Sequence, residues 1–486
     1  MTASERIQED NQMSFQQPEW VEARDYQQRA VQSWAEAGGQ GVLEMATGTG
    51  KTVTSLLTAA HVAEQMDGKM AMVIAVPYQH LVDQWAEDVR DFGGNPILAY
   101  ESRKNWQERL EGELAEFDLG VRDSLVVITT HTTFASENFQ RVLSRVNRDR
   151  FMLIADEVHH MGAPHLKESL PEAVQLRLGL SATPERFYDD EGTKELFEYF
   201  GEIVYQYGLT EAIKNGALCE YYYIPHVVEL TEDESQEYLK LSRKIARLAS
   251  RSGGDLGDTD LQDNKDLQFA LFKRARLIGT AERKIERLVD LLQQEDEVKH
   301  TLVYCGDGTV EGEIKDRMRR HVDATETTLR ADLGLRAERF TADESRDERQ
   351  DLLARFEAGD IQALVAIRCL DEGVDVPATR TAYMLASSSN PRQFVQRRGR
   401  ILRQHPGKHH AVIHDFVVAP LVEIRNSATV DEALFTTERN LVRRELERVN
   451  LFAEAARNHP DADVNGIPTD AGAIGSLKRE FNLRQM

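Results

Sequence analysis

The sequence predicts an α/β protein built from two tandem doubly wound parallel-sheet domains, joined by a helical segment and followed by a C-terminal helix. Three observations predict it. From about residue 40 to 184, short apolar runs alternate with helical patterns, the arrangement that covers a parallel sheet on both faces. The same alternation restarts at Thr301 and runs to about residue 420. Between them, Thr231 to Gln294 reads as charged helix, interrupted by RSGGDLGDTD at 251–260.

Taken in order, residues 1–18 are polar and aperiodic and read as a disordered leader. The first domain spans 19–184. Its opening helix, RDYQQRAVQSWAEAG, places Ala30, Val31, Trp34 and Ala35 at helical spacing and ends at Gly38-Gly39. Strands are expected at Val42–Met45, Met70–Val76, Leu125–Thr129, Phe151–Ala155 and Leu176–Leu180, with helices such as 78–92 and 105–117 between. Residues 185–299 are expected to form a helical bridge or, alternatively, a nucleic-acid contact surface. The second domain, 300–420, has strands at 301–305, 339–341, 363–367, 381–386 and 411–416. The tail, 421–486, carries a long amphipathic helical pattern from Val430 to Asn458.

Composition excludes several classes. At 486 residues and 41% hydrophobic content the chain has ordinary globular cores, not a disordered or fibrous character. No apolar run approaches the roughly 20 residues that cross a bilayer, and the first 20 residues are too polar for a signal peptide. A cytoplasmic protein with no membrane partner is expected. Cys219, Cys305 and Cys369 lie far apart and suggest neither a zinc site nor a disulfide framework. The net charge of −23 argues at first sight against a nucleic-acid partner. The chain keeps 44 Arg against 15 Lys, however, the cation suited to bidentate phosphate contacts. Such acidity is tolerated best in concentrated salt, which predicts a halophilic protein.

The motifs carry the chemistry. In GVLEMATGTGKTV, residues 41–53, an apolar run turns through Thr47, Gly48, Thr49 and Gly50 into Lys51 and Thr52. The glycines let the backbone N–H groups curl around a phosphate at a helix N-terminus, Lys51 adds a full charge, and the Thr52 hydroxyl suits Mg²⁺. Met45 stands where the general pattern has glycine. Asp156 and Glu157 follow the strand FMLIA, at the edge where open α/β sheets bind ligands. Two carboxylates there can divide the labour, one holding Mg²⁺ and the other acting on water; an acidic helix start is the alternative. Ser181-Ala182-Thr183 follows LRLGL, DEGVDVP (371–377) follows ALVAI, and QRRGRILR (396–403) follows a helical pattern. Arg400 and Arg403 at a spacing of three are expected to project from one side of a helix, which suits two guanidinium groups on one phosphate.

The ordered set ATGTGKT, DEVHH, SAT, DEGVDVP and QRRGRILR resembles the motif series of superfamily 2 helicases and translocases of the DEAD/DEAH-box-like kind, with two RecA-like domains. It is most similar to the subgroup of XPB-type repair helicases and the motor subunits of type I and type III restriction enzymes, in which Met-Ala commonly precedes TGTGKT. The resemblance covers roughly residues 20–420. It implies an ATP hydrolase using Mg²⁺ that acts on DNA, in repair or anti-phage restriction, with a nuclease or a repair or defence protein as possible partner.

Position by position, the resemblance implies that Gln27 reads adenine. Lys51 and Thr52 hold phosphates and Mg²⁺, Asp156 is the Mg²⁺ partner, and Glu157 is the base for water. It implies that His160, Ser181 and Thr183 couple the nucleotide to the strand-binding surface. Gly373 and Asp375 meet the ribose, Gln396 faces the γ-phosphate, and Arg400 and Arg403 are arginine fingers. Pro77 to Trp85, including Gln84, and Thr129-Thr130 resemble strand-backbone contacts. Two rival readings are an RNA track and an ATP-gated clamp that recruits a nuclease without moving.

Overall fold

The computed structural model describes residues 15–146, 150–171, 174–186, 189–251, 264–306, 313–341, 343–367, 376–386, 391–419, 432–483 and 485. Cys369, Gly373 and Asp375, and the expectations placed on them, lie outside the described residues. The chain divides into two compact units, Met1–Ala212 and Ile213–Met486.

The first unit runs α1 (Asp25–Glu36), β1 (Gln40–Met45), α2 (Lys51–Gln65), β2 (Met70–Val76), α3 (Gln79–Asp91), β3 (Ile97–Ala99), α4 (Gln107–Asp118), β4 (Ser124–Thr130), β5 (Phe151–Asp156), β6 (Leu176–Ser181), α5 (Asp190–Phe200) and β7 (Ile203–Tyr207). Its seven strands lie in the order β3-β4-β2-β5-β6-β1-β7, every neighbouring pair parallel. Strand β2 (MAMVIAV) is buried at every position because both faces of the sheet are covered, which is why it reads as a continuous apolar run. One core cluster unites Val73, Ala75, Val127, Leu153, Ala155 and Val158 with Phe134, Phe139 and Phe200.

The second unit runs β8 (Glu220–Val228), α6 (Glu232–Arg251), α7 (Lys265–Gly279), α8 (Glu282–Leu292), β9 (Thr301–Tyr304), α9 (Glu313–Ala331), β10 (Ala337–Phe340), α10 (Arg346–Ala358), β11 (Ala363–Ala366), β12 (Thr381–Met384), α11 (Pro391–Ile401), β13 (His410–Val418), α12 (Glu432–Ala453) and α13 (Ala473–Glu480). Its six parallel strands lie in the order β10-β11-β9-β12-β13-β8.

Three expectations are corrected. The segment 185–299 is not a helical bridge alone: β7 completes the first sheet beside β1, and β8 completes the second beside β13. The aromatic run Tyr221-Tyr222-Tyr223 is this edge strand, where bulky rings pack well and Pro225 is tolerated because one side needs no ladder partner. The leader ends earlier than residue 18. Phe15 is buried against Phe92, with ring centroids 5.9 Å apart, and the Gln16 amide donates to the Phe92 carbonyl. One anchoring ring has no periodicity for a sequence pattern to reveal. The tail also does more than form one helix. Asn458 hydrogen-bonds both backbone groups of Tyr223, and Asp470 pairs with Arg287 at 2.6 Å.

Candidate active site

Strand register assembles the first unit's site. Glu44 of β1 lies opposite Ser181 of β6, and Leu180 of β6 lies opposite Asp156 of β5. Residues 46–50, Ser181–Thr183 and Asp156-Glu157 therefore leave three adjacent parallel strands at one carboxyl edge, the ligand-binding edge of open α/β sheets.

The Gly-rich turn is braced from behind. Gly48 and Gly50 have φ of 86° and 79°, and Gly50 is the residue that caps α2. A Cβ at Gly50 would stand 3.2 Å from Gln27 Nε2, so Gln27 lies beside the turn. The Tyr26 hydroxyl donates to the Thr49 carbonyl at 2.8 Å, and its ring stacks on Tyr207 at 4.1 Å. Thr49 Oγ1 donates to the Ala46 carbonyl, and Lys51 Nζ donates to the Met45 carbonyl at 3.2 Å. Thr47 Oγ1 is buried with no hydrogen-bond partner among the described residues. A buried hydroxyl in that state costs about 1–3 kcal/mol, which a phosphate oxygen at the turn would offset. The turn, the N–H groups opening α2, Lys51 and this hydroxyl fit a polyphosphate.

The carboxylates are held differently. Asp156 Oδ1 accepts from the Glu157 amide at 2.9 Å, and Oδ2 accepts from Trp85 Nε1 at 3.2 Å. Burial, then the neighbouring Glu157 charge, push the Asp156 carboxyl up to about 6, against the opposing pull of Lys51. Glu157 adopts φ 45°, ψ 53°, a left-handed conformation that costs a side chain of its kind about 1–3 kcal/mol. That turn aims its carboxylate at His159, Oε2 to Nδ1 3.4 Å, and His159 Nδ1 also lies 3.2 Å from Ser181 Oγ. The approach requires Gly179 on β6, where a Cβ would meet Val158 Cγ2 at 2.9 Å.

Four residues act here that the sequence reading left out or placed elsewhere. Trp85 falls in the 77–85 stretch expected to contact a strand, yet it is buried on α3 and orients Asp156, while its neighbour Gln84 is exposed. Arg186 donates to the His159 carbonyl and pairs with Asp189 at 2.7 Å. His131 is buried, its ring 5.7 Å from that of His160, and burial with the His160 charge lowers its pKa to about 3, so it stays neutral. Tyr26 sits next to Gln27 and holds the turn. The R-D-Y-Q and SATPER strings were the available signals for Tyr26 and Arg186.

Several placements differ from expectation. Ser181 Oγ meets His159, and it also accepts from the Thr183 amide at 3.1 Å. His159 rather than His160 therefore joins the carboxylate to the Ser-Ala-Thr turn. Thr129 is fully buried with its hydroxyl on the Ala99 carbonyl, and Thr130 is buried as the cap of the 131–134 turn, accepting from the Thr133 amide. These hydroxyls hold the fold and are not presented to a strand. Pro77 is half-buried at the end of β2.

In the second unit, α11 sorts the QRRGRILR arginines. Arg397 is buried, donating to the Ala386 carbonyl and lying 5.1 Å over the Tyr304 ring. Arg398 donates to the Leu451 carbonyl at 2.6 Å and covers Phe452. Both are structural. Gln396 and Arg400, four apart, share the remaining helical face. Arg403 departs from the expected helical spacing: α11 ends at Ile401, and Arg403 forms an antiparallel bridge with Leu218. Burial lowers its guanidinium pKa to about 10. Lys408, the only lysine between Lys315 and Lys478, closes the helix end: Nζ donates to the carbonyls of Ile401, Arg403 (3.0 Å) and Pro377 (3.2 Å). It ties the end of the arginine segment to the chain that follows DEGVD.

The raised Asp156 carboxyl gives a pH prediction. Its folded pKa lies above the ordinary value of 3.8, so its contribution to stability is fully present below about 3.8 and is lost as pH rises through about 6. A bound cation offsets that loss. Mg²⁺ with ATP is therefore expected to raise the melting temperature more at pH 7.5 than at pH 5. Asp156→Asn should remove the difference; an equal shift at both pH values, unchanged in the variant, contradicts the assignment.

A phosphate-binding turn and a carboxylate pair on one strand edge, in the first of two doubly wound units, define a P-loop nucleotide hydrolase of the two-unit motor class. Residues 21–186 match the family model of the type III restriction enzyme res subunit, and residues 283–405 match the helicase conserved C-terminal domain. The chain belongs to superfamily 2 of helicases and translocases, in the subgroup of XPB-type proteins and restriction-enzyme motors, and is an ATP hydrolase.

Among relatives, the DNA 3'-5' translocase XPB2 of Sulfurisphaera tokodaii is 28% identical over 436 residues, covering 85% of this chain and 84% of that protein. A Rad25 relative from Haloarcula marismortui is 25% identical over 388 residues, and there the match covers 78% of this chain and only 50% of the relative. The fold resembles the structure of the ATP-dependent Type ISP restriction-modification enzyme LlaBIII bound to DNA, with TM-score 0.60 and 17% identity over 96% of this chain and 33% of that one. No helix among the described residues is long and apolar enough to cross a membrane.

Proposed function

We propose that this chain is an ATP-driven motor that moves along DNA, holding the strand by its backbone and not by its sequence. The observation that carries the reading is the Trp85–Asp156 hydrogen bond. It joins the carboxylate at the nucleotide edge to α3, whose exposed face carries Gln84, so a change at Asp156 reaches a surface suited to a strand. His159 makes the parallel link from Glu157 to Ser181 and the Thr183 amide. Similarity to the Sulfurisphaera translocase supports DNA as the track.

In the proposed cycle, Lys51, Thr47 and the N–H groups opening α2 hold the ATP phosphates, and Gln27 holds adenine. Thr52 and Asp156 would hold Mg²⁺, which neutralises phosphate charge when bound. Glu157 orients and deprotonates the attacking water. Arg400 and Arg403 bring positive charge to the γ-phosphate, and Gln396 faces it as a neutral hydrogen-bonding group. A nuclease, or a repair or defence protein, is the partner this reading favours, supported by the match to the restriction-enzyme res subunit.

The charge of −23 belongs to the same proposal: the protein works in a salt-rich cytoplasm. At about 1 M salt the Debye length is roughly 3 Å, so surface carboxylates cease to repel one another across the fold. The Haloarcula relative, from a halophilic archaeon, supports this. ATPase rate and far-UV circular dichroism are to be followed from about 0.1 to 3 M KCl, with Debye lengths from about 10 Å to below 3 Å, in the presence of single-stranded DNA, duplex DNA or RNA. Stimulation by DNA over RNA, with folding and rate rising with salt, is expected. Greater stimulation by RNA contradicts the DNA track, and full folding and fastest turnover at about 0.1 M contradict the halophilic reading.

A further inference from the structure

Helices α6 and α7 invert the charge of the chain. The sequence as a whole has 82 acidic side chains against 59 Lys and Arg. Residues 240–251 and 265–279 hold nine Lys and Arg against a single acid, Asp266, and four of the 15 lysines. In a lysine-poor acidic protein that concentration is local and directional. Lys240, Arg243, Lys244 and Arg247 fall at i, i+3, i+4 and i+7, one face of α6, and all four are exposed. None of them makes an ion pair among the described residues. The opposite face is the structural one: Tyr238, Leu241, Ile245 and Ala249 are buried. Arg274 of α7 turns inward to Glu438 at 3.2 Å and takes no part in the basic face.

Helix α7 adds aromatic surface: Phe269 lines one groove with this stripe, and Phe272 follows it three residues on along the helix. Phe269 and Phe272 are 49% and 55% exposed, two of the five large hydrophobic side chains so exposed among the described residues. Lys273 Nζ lies 4.9 Å over the Phe269 ring. The basic stripe, Phe269 and Lys273 line one open groove of about 710 Å³, whose one acidic lining residue among the described residues is Glu237 at the N-terminal end of the stripe. Exposed rings next to unpaired cations are costly for a surface whose only task is solubility. They match a ligand that presents anions on one side and flat apolar faces on the other.

We propose that this groove binds an unpaired DNA strand, with the α6 cations on successive phosphates and Phe269 and Phe272 stacked on bases. A duplex offers the phosphates and hides the base faces, so the rings select the unpaired strand. The inference rests on the reading of the chain as a DNA motor and adds to it a strand-holding element outside the two sheets.

The test uses the full chain and fluorescein-labelled dT20, with a 20-base-pair duplex for comparison. Replacing Lys240, Arg243, Lys244 and Arg247 together by Ala is expected to weaken dT20 binding at least about tenfold at the lowest KCl concentration at which circular dichroism shows both proteins folded. The slope of log K against log salt should become shallower by about 2.8, at about 0.7 per phosphate contact. The Phe269→Ala/Phe272→Ala pair is expected to lose about 5- to 160-fold for each stacked base on dT20 and nothing on the duplex. Basal ATPase and melting temperature should stay at wild-type values in both. Unchanged affinity and slope in the quadruple variant overturn the proposal. So does an equal loss on dT20 and duplex in the Phe pair, or displacement of dT20 by polyglutamate at equal charge concentration, which marks a general polyanion surface. Failure of the wild type to bind either DNA counts against the motor reading itself.

Discussion

Arg403→Ala is expected to lower ATP turnover by about 10³- to 10⁵-fold, the worth of an arginine finger, while ATP binding through Lys51 changes little. Arg400→Ala should behave alike. The expectation is specific because α11 assigns its arginines different tasks: Arg397 and Arg398 bind the Ala386 and Leu451 carbonyls and cover Tyr304 and Phe452. Their loss should lower the melting temperature instead of sparing the fold. The same claim predicts that a fragment ending at Ala212, which keeps the whole seven-stranded sheet, binds ATP and hardly hydrolyses it. A cut near His300, the boundary suggested by the sequence, would carry β8 without β13, its one strand neighbour among the described residues. Wild-type turnover from the Ala212 fragment, or from Arg400→Ala and Arg403→Ala, removes the second unit from the chemistry.

Glu157→Gln and Lys51→Ala should separate two steps. Glu157→Gln removes a general base, a loss of about 10² to 10⁴ in rate, and leaves nucleotide affinity intact. The amide keeps the size of the carboxylate, so the left-handed turn and Gly179 packing persist. Lys51→Ala should weaken ATP binding itself. Nucleotide titration and single-turnover hydrolysis on both variants decide the matter, and equal loss of binding in the two refutes the division of roles.

The parts of this account that were legible in the sequence share one property: a local pattern determines them. β2 is Met70–Val76 as read, because strands covered on both faces are apolar throughout. Asp156 ends β5 and Ser181 ends β6, so strand-end motifs fall on one edge once the strands are parallel. What escaped depends on long-range pairing. β7 and β8 became visible only beside β1 and β13, since an edge strand alone has the composition of a loop or helix. Thr129 looked like a polar contact, and its burial follows from Ala99 on β3, a three-residue strand too short to announce itself. The substitution of His159 for His160 at Ser181 has a similar origin, because two adjacent histidines differ only in which way the turn after Glu157 points them. The arginine cluster is the clearest case. Four guanidinium groups in eight residues read as one basic face, and packing against Tyr304 and Phe452 withdraws two of them.

Movement along DNA is the central claim, and displacement of a third strand from a DNA triplex measures it most directly. ATP-dependent displacement is expected of the wild-type chain, absent without ATP and absent with Glu157→Gln although that variant still binds ATP. DNA-stimulated ATP hydrolysis with the third strand left in place would contradict it, because the protein would then be a clamp that closes and opens without travelling.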